Sequence, residues 1–379
     1  MTKHAILSAS GSPTWLGCPG SRKAQEGYKN KSSAFAIEGT HAHKLADLCL
    51  KNKKDAEFYI GKKVLKTVVE ADMAAFVQEY LDYVRAHESK NTELFTEMRV
   101  DFGHIVSGGF GTLDAAVMDY DNHICHIFDL KYGKGIQVYA FENTQSQLYA
   151  LGFLKELKFL TDIKTFRIHI VQPRKVTHAP WDITVEDLQL FAKYATERGE
   201  LAMTDSAPRV PGNKQCQWCD AKPDCEALAK FCEETIMVEF ENLNDNSFVE
   251  VAKLSNIQKK AILDNTELIK SFLTAVNSNV FDQINNGKKF PGYKIILGKA
   301  NRQWSDKAEG YLKRKFGAGK IYTKKLIGIG AAEKLMGKEK KKLNDYTDKP
   351  VGSPRLVLES HPSFAVIGKD VIDDFNKIA

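Results

Sequence analysis

The chain has 379 residues, 43% of them hydrophobic and 27% charged, with a formal net charge of +6. This composition is typical of a soluble protein with well-formed cores. It contains no apolar run of 18 residues and no apolar segment near the start that is long enough for a signal peptide, so nothing suggests a membrane span or secretion and we expect a cytoplasmic protein.

The first long predicted helix carries a candidate metal-binding histidine. Apolar residues recur at helical spacing from Ala34 to Leu50, a stretch that includes GTHAHKLAD. His43 and Asp47 are four residues apart and share one helix face, and a neutral His43 imidazole can bind a metal. A surface histidine on an amphipathic helix is the alternative. His41 points elsewhere and is a weak candidate.

Two predicted strands carry the acidic candidates. Residues 109–119 and 124–131 are rich in apolar and β-branched residues and flank a polar turn, so we expect neighbouring antiparallel strands. Asp114 and Asp129 then face each other, and Asp129 and Lys131 share a face. Two carboxylates can hold a divalent metal, and a lysine beside them can orient a water. A cross-strand salt bridge on a solvated face is the alternative.

The elements that follow complete an α/β pattern. Residues 144–157 predict a helix on which Gln145 and Tyr149 share a face. Residues 166–171 predict a strand, and Thr184 caps a helix that continues to residue 203. The predicted order is helix, helix, three strands, helix, strand, helix.

Four short motifs, GT-x-x-H, G-x-L-D, D-x-K and Q-x-x-x-Y, occur in this order within roughly residues 5–230. Together they resemble the PD-(D/E)XK nuclease superfamily, and the branch they are most similar to is the RecB-like exonucleases, including the AddB and Cas4 proteins. The resemblance implies a mixed sheet flanked by helices and a DNA exonuclease that uses Mg²⁺ or Mn²⁺. It also implies a role for each motif residue: the metal ligands would be His43, Asp114, Asp129 and the carbonyl of Leu130, the catalytic lysine Lys131, and the supporting pair Gln145 and Tyr149.

Three of the seven cysteines, Cys216, Cys219 and Cys225, form a C-x2-C-x5-C cluster. In a cytosolic chain such a cluster more often binds a metal than forms disulfides. A closed site needs a fourth ligand. Cys232 is near enough in sequence to complete a zinc site, although it lies in a predicted helix where a buried cysteine is ordinary.

Cys18 is the other candidate for the fourth ligand. In the AddB and Cas4 proteins, one cysteine before the nuclease core and a C-x2-C-x5-C after it hold a [4Fe–4S] cluster. The resemblance therefore favours Cys18 over Cys232 and implies an iron–sulfur staple that joins the two ends of the domain.

A second domain is predicted after the polar residues 241–247, which divides the chain into a nuclease domain, 1–240, and a smaller, mainly helical domain, 241–379. The predicted elements of that domain are helices at 247–264 and 265–287, a strand signal at 292–304, a helix from residue 305, a basic helical unit at 320–342 and an extended segment at 349–366.

The second domain also holds the excess positive charge. Residues 302–342 contain 13 Lys and Arg residues against 4 Asp and Glu. Four aromatic residues are interleaved with them: Trp304, Tyr311, Phe316 and Tyr322. This pattern favours contact with a nucleic-acid backbone and stacked bases, and a solvated lysine-rich surface is the alternative.

These observations predict a metal-dependent DNA nuclease, most simply an exonuclease. Two alternatives remain: a non-catalytic DNA-binding or recruitment protein on a nuclease fold, and a Cas4-like end-trimming nuclease. The C-terminal tail is similar to an uncharacterised phage-encoded group. That likeness implies DNA recombination or processing in the cytoplasm of a bacterial host, with DNA and a phage single-strand annealing protein as partners.

Overall fold

The computed structural model describes residues 5–28, 34–157, 162–175, 179–237, 255–299, 301–322, 326–348, 354–358 and 365. The chain divides into two compact units, residues 1–272 and 273–379. The junction predicted at residues 241–247 lies outside the described residues, so the boundary at residue 240 stays a prediction. No helix within the described ranges is both long and apolar enough to cross a bilayer.

The first unit alternates helices and strands. Its elements in chain order are α1 (Ser12–Gly17), α2 (Ser21–Ala24), α3 (Ala34–Asn52), a 3-10 turn (Ala56–Tyr59), β1 (Lys63–Val64), β2 (Thr67–Val68), α4 (Ala71–Arg85), β3 (Thr92–Asp101), β4 (Phe110–Asp119), β5 (Ile124–Leu130), α5 (Thr144–Leu157), β6 (Thr165–Val171), β7 (Trp181–Thr184), α6 (Val185–Ala202), α7 (Asn213–Cys216), a 3-10 turn (Lys222–Asp224), α8 (Glu226–Met237) and α9 (Asn256–Asp264). Helix α10 (Thr266–Asn285) continues past residue 272.

A five-stranded mixed sheet of order β3-β4-β5-β6-β7 organises this unit. Strands β3, β4 and β5 form an antiparallel meander, β6 pairs parallel to β5, and β7 pairs antiparallel to β6. The parallel pair requires a crossover, which α5 supplies. The expectation of a mixed sheet flanked by helices is confirmed.

Two hydrophobic cores cover the two faces of the sheet. One packs α1, α5 and α6 against residues such as Cys125 and Ile127 of β5, and the other packs α3 and α4 against Phe128 and Leu130 of the same strand. Because both faces of β5 are buried, its sequence is an apolar run with a single charged residue, Asp129.

The helices, strands and helix cap predicted from the sequence of the first unit are present in the structure. The Thr184 side chain accepts a hydrogen bond of 3.1 Å from the N–H of Asp187, which caps α6 as the Thr-x-x-Asp spacing predicts. The predicted helices at 34–50 and 144–157 and strands at 109–119, 124–131 and 166–171 agree with the observed elements to within two residues.

The described part of the second unit is both helical and stranded. Its elements after α10 are β8 (Tyr293–Leu297), β9 (Gln303–Trp304), α11 (Ala308–Phe316), α12 (Ala318–Ile321), α13 (Ile329–Met336), a 3-10 segment (Gly337–Tyr346), β10 (Thr347–Asp348) and β11 (Pro354–Leu358). Strand β11 pairs with β8 and β10 with β9, both antiparallel. Residues Pro354–Leu358, within the segment that the sequence predicts to be extended, thus form a strand that the mainly helical expectation did not include.

The aromatic residues of the basic stretch are part of a core. Trp304, Tyr311, Phe316 and Tyr322 pack against buried residues such as Leu312, and the Trp304 indole N–H donates to the carbonyl of Ile327 at 3.0 Å. Their spacing is therefore explained by packing inside the second unit, and the net charge is the remaining sign of a nucleic-acid contact.

Candidate metal centre

The two aspartates of the D…D-x-K pattern lie at the same end of the ladder between β4 and β5. The β4–β5 ladder pairs Ala115 with Phe128, and its continuation places Asp114 opposite Asp129, as the sequence predicts. Asp129 is buried, with 3% of its surface exposed, while Asp114 is half-buried. A buried carboxylate needs a compensating partner, so this end of the sheet is a place where a cation would be stabilised.

Helix α3 delivers His43 to Asp114. The His43 Nδ1 atom lies 2.9 Å from Oδ1 of Asp114, and the N–H of Leu130 donates to Oδ2 at 2.7 Å. Asp114 thus connects α3 with β5 through its two oxygens. Leu130 takes part through its N–H in this contact, and the ligand role of its carbonyl stays a prediction.

A third carboxylate, Glu97 on β3, joins this site and is absent from the sequence motifs. The β3–β4 register pairs Thr96 with Ala115 and Met98 with Leu113, so Glu97 falls opposite Asp114. Its φ of +46° lies in the left-handed region, which is uncommon for a residue other than glycine and is typical of functional sites. The register of β3 against β4 is the signal that would have found it.

His43, Glu97 and Asp114 form a compact donor set. Their ligand atoms all lie within 4.8 Å of one another. Ligands around an octahedral Mg²⁺ at about 2.1 Å are spaced about 3.0 Å apart when adjacent and about 4.2 Å when opposite. The three side chains therefore fit a common divalent ion without rearrangement of the backbone. Asp129 adjoins this set and is not one of its three members.

The charges of the site perturb one another. Burial and the charge of Asp114 raise the pKa of Glu97, and burial also raises the pKa of Asp129 in spite of its contact with Lys131. Burial lowers the pKa of His43, but the charge and hydrogen bond of Asp114 outweigh it and leave that pKa raised. Three neighbouring carboxylates against one lysine and one histidine give the site an excess of negative charge, which a bound cation would offset.

Lys131 begins a chain of hydrogen bonds that leads away from the carboxylates. Its Nζ lies 2.7 Å from Oδ2 of Asp129 and donates to Oε1 of Gln145 at 2.9 Å. The Gln145 amide donates to the hydroxyl of Tyr149 at 3.1 Å. The motif residues D-x-K and Q-x-x-x-Y are therefore in direct contact, and the Gln–Tyr pair on α5 fixes the position of the lysine.

Gly111 makes room for this chain. A Cβ atom at residue 111 would lie 2.6 Å from Cε1 of the Tyr149 ring, a distance that real Cβ atoms do not reach. The close approach of β4 and α5 at this point therefore explains why the first residue of the G-x-L-D motif is a glycine. Burial raises the pKa of Tyr149, which keeps its hydroxyl protonated.

The four cysteines Cys18, Cys216, Cys219 and Cys225 line one cavity of the first unit. Backbone N–H groups donate to two of the sulfurs, from Val210 to Cys18 Sγ at 3.2 Å and from Gly212 to Cys216 Sγ at 3.4 Å. Burial raises the pKa of Cys18 and Cys216, and that of Cys219 to about 11. Burial thus favours the protonated thiols, and a bound cation would favour the thiolates.

Close backbone approach brings Cys18 to this cavity. The N–H of Gly20 donates to the carbonyl of Pro208 at 2.9 Å, and Arg198 of α6 donates to the carbonyls of Leu16 and Gly17 at 2.6 and 3.1 Å. Cys232 is not among the residues that line the cavity, although it belongs to the same small core as Cys216, Leu228 and Leu268. Cys49 and Cys125 are buried in the two cores of the sheet.

One family model matches almost the whole chain. It describes a protein of unknown function (DUF2800) and covers residues 4–363. The chain belongs to the DUF2800 family. Among solved structures, this DUF2800 chain is similar to a protein from Eubacterium rectale described as a "Putative exonuclease", with 12% identity over 52% of this chain and 81% of that chain and a TM-score of 0.32. A likeness of that size carries no argument, so the function is argued from the geometry of the site.

Proposed function

We propose that this DUF2800 chain is a metal-dependent DNA nuclease of the PD-(D/E)XK type that acts as an exonuclease. The observation that carries the proposal is the meeting of His43, Asp114 and the Asp129–Lys131 pair at one end of the sheet. These residues come from separate segments of the chain, and an ordinary surface salt bridge would not require a buried aspartate and a histidine beside it.

The proposed ion is Mg²⁺ or Mn²⁺. His43, Asp114, Asp129 and Glu97 would hold it, with the Leu130 carbonyl as a further oxygen ligand. Carboxylate and carbonyl oxygens are the donors that these ions prefer, and a single imidazole is more readily accepted by Mn²⁺. When bound, the ion would polarise a phosphoryl oxygen and stabilise the charge that develops on the leaving oxygen.

Lys131 is the proposed positioning group for the attacking water. An ammonium group has three N–H donors, and the described residues that Lys131 Nζ contacts are Asp129 and Gln145. A third donor is then available for a water or for a phosphate oxygen of the substrate. Because Gln145 is itself held by Tyr149, the direction of this donor is fixed before the substrate binds.

DNA is the proposed substrate, and the basic stretch of the second unit supports contact with its backbone. Residues 302–342 carry a net charge of +9, whereas the rest of the chain carries −3. Lysine and arginine side chains that neutralise phosphates give sequence-independent, salt-sensitive affinity. The proposed setting is phage DNA recombination in a bacterial cytoplasm, with a single-strand annealing protein as partner, and it rests on the resemblance of the sequence alone.

A [4Fe–4S] cluster is the cofactor we propose for Cys18, Cys216, Cys219 and Cys225. Four thiolates around one Zn²⁺ at about 2.3 Å would lie about 3.8 Å apart. Among the described residues, the groups of three or more metal-binding side chains within 4.8 Å of one another contain no cysteine. The choice of a cluster over a single ion rests on the resemblance of the sequence to the AddB and Cas4 proteins. Its role here would be to join the start of the unit to the segment after α6.

The nuclease proposal is tested on linear DNA labelled at the 5′ or the 3′ end, duplex or single-stranded, with Mg²⁺ or Mn²⁺. Wild-type protein should release short products, and the variants Asp114→Asn and Asp129→Asn should lose activity by about 100-fold or more. The matched control is Asp121→Asn, an exposed aspartate in the β4–β5 turn, which should cut at the wild-type rate. Cutting by Asp129→Asn at the wild-type rate would refute the site. DNA binding without products in either metal would favour a recruitment protein instead.

The cysteine assignment has its own test. Anaerobically purified protein should be yellow-brown and contain iron and sulfide, with absorption near ~400 nm typical of iron–sulfur centres. Cys18→Ser should lose most of the iron, whereas Cys232→Ser should keep it. A colourless protein with stoichiometric zinc that is lost in Cys232→Ser would reverse the assignment.

A further inference from the structure

Three histidines meet in the first unit at a place that shares no residue with the candidate metal centre. His87 follows α4, His126 lies on β5, and His169 lies on β6. The parallel register pairs His126 with Arg167 and Phe128 with His169, so the two strand histidines are close neighbours on the face that α4 covers. His126 and His169 are buried, and His87 is half-exposed.

The three rings bring one nitrogen atom each close together. One ligand nitrogen from each lies within 4.8 Å of the other two, and His126 Nδ1 is 3.0 Å from His169 Nε2. The ring centroids are 4.8, 4.8 and 5.3 Å apart. Three imidazoles bound to one tetrahedral ion at about 2.0–2.1 Å would have neighbouring nitrogens about 3.4 Å apart, so small side-chain rotations suffice to admit one.

Two of the three remaining ring nitrogens, those of His87 and His169, are already held in the way that metal-binding histidines require. His87 Nδ1 lies 2.9 Å from the carbonyl oxygen of Tyr83, and the Tyr83 hydroxyl lies 3.0 Å from His169 Nδ1. Histidine ligands almost always use their second nitrogen in such a contact, which fixes the ring and its tautomer. Tyr83 thus orients two of the three imidazoles.

The electrostatic setting suits neutral imidazole ligands. Burial lowers the pKa of His126 to about 4 and that of His169 to about 2, so both are uncharged near neutral pH. The nearby Arg167 is paired in bidentate fashion with Asp182, at 2.6 and 2.7 Å, which offsets its repulsion of a cation. A set of three nitrogens favours Zn²⁺ and similar first-row ions over Mg²⁺.

We propose that His87, His126 and His169 form a binding site for a divalent transition-metal ion, Zn²⁺ or a close relative. The ion would join the end of α4 to β5 and β6, and a water or an outer side chain would complete its shell. The site is independent of the nuclease proposal, because none of its residues belongs to the carboxylate centre or to the cysteine cavity.

The test measures metal content and stability of the full chain, stripped with a chelator and dialysed against Zn²⁺. His87→Gln should hold one zinc equivalent fewer than the wild type, and His104→Gln, an exposed histidine outside the cluster, should hold as much as the wild type. Zn²⁺ should raise the melting temperature of the wild type more than that of His87→Gln. Equal zinc content in all three proteins would overturn the proposal.

Two further measurements separate this site from the others that can bind zinc. With Co²⁺, the difference spectrum between wild type and His87→Gln should contain weak visible bands and no thiolate charge-transfer band; a thiolate band would assign the lost ion to the cysteines and overturn the proposal. Tyr83→Phe, which removes only the hydroxyl that orients His169, should weaken zinc binding about 10- to 100-fold. Unchanged affinity in that variant would count against the site.

Discussion

The substitution Glu97→Gln should separate two effects of the acidic cluster: the repulsion between its carboxylates, which destabilises the metal-free fold, and their contribution to metal binding. The ligand oxygens of Glu97 and Asp114 lie within 4.8 Å of each other. Two unit charges at that distance repel by about 3.5 kcal/mol at an effective dielectric of about 20. His43 and solvent offset part of this at a half-exposed site, so we expect a net cost of about 1–2 kcal/mol.

The metal-free variant should therefore be more stable than the wild type. A change of about 1 kcal/mol shifts the melting temperature of a unit of this size by about 2–4 °C, so the expected rise is about 2–8 °C at pH 8 in a chelator. Because the pKa of Glu97 is raised, the repulsion is absent at low pH and appears as the pH rises through that pKa. The gain should accordingly disappear in acid.

With excess Mg²⁺ or Mn²⁺ most of this stability advantage of the variant should disappear. The variant has lost a charged ligand, so its metal affinity should fall about tenfold or more, which removes about 1.4 kcal/mol of ligand-induced stabilisation. Calorimetric melting with and without metal measures both effects, and Glu156→Gln, an exposed position on α5, is the control. If Glu97→Gln is less stable without metal and is stabilised by metal as much as the wild type, the assignment of Glu97 to the centre is wrong.

Three further predictions concern single residues. Gly111→Ala should force the Tyr149 ring to move, at a cost of about 1–3 kcal/mol in unfolding free energy and with reduced nuclease activity; unchanged melting and activity would contradict the packing argument. Lys131→Ala should slow cutting while leaving Mn²⁺ affinity in titration calorimetry intact, and an equal loss of metal would contradict its positioning role. Burial raises the pKa of Asp47, but its contacts with Lys44 and Lys51 outweigh burial and leave that pKa lowered. The charged Asp47 should therefore stabilise the fold above pH 3.8, and this contribution should be lost as the pH falls through the lowered pKa. Asp47→Asn should therefore lower the melting temperature at pH 7 and flatten this acid dependence.

The sequence predicted best the contacts between residues that are close together along the chain. The antiparallel pair β4–β5 follows from two apolar runs and a four-residue polar turn, and that pair alone brings Asp114 opposite Asp129. The contact between Lys131 and Gln145 could be expected only through the family resemblance, since it depends on how α5 crosses the sheet.

What could not be predicted depends on pairing between distant segments. Glu97 belongs to none of the sequence motifs, and its place beside Asp114 follows only from the pairing of β3 with β4. The histidine cluster depends on the parallel pairing of β5 with β6, which no local turn specifies. Strand β7 was missed because its four residues run directly into the cap of α6.

The position of Cys18 has a consequence for the order of events during synthesis. Its three companions lie about two hundred residues later, so the thiol cavity is incomplete until residue 225 has left the ribosome. By then every strand of the five-stranded sheet has already been made. An ion or cluster bound there would therefore be acquired only after the whole sheet has been made, and a chain that ends before residue 225 would lack a ligand for it.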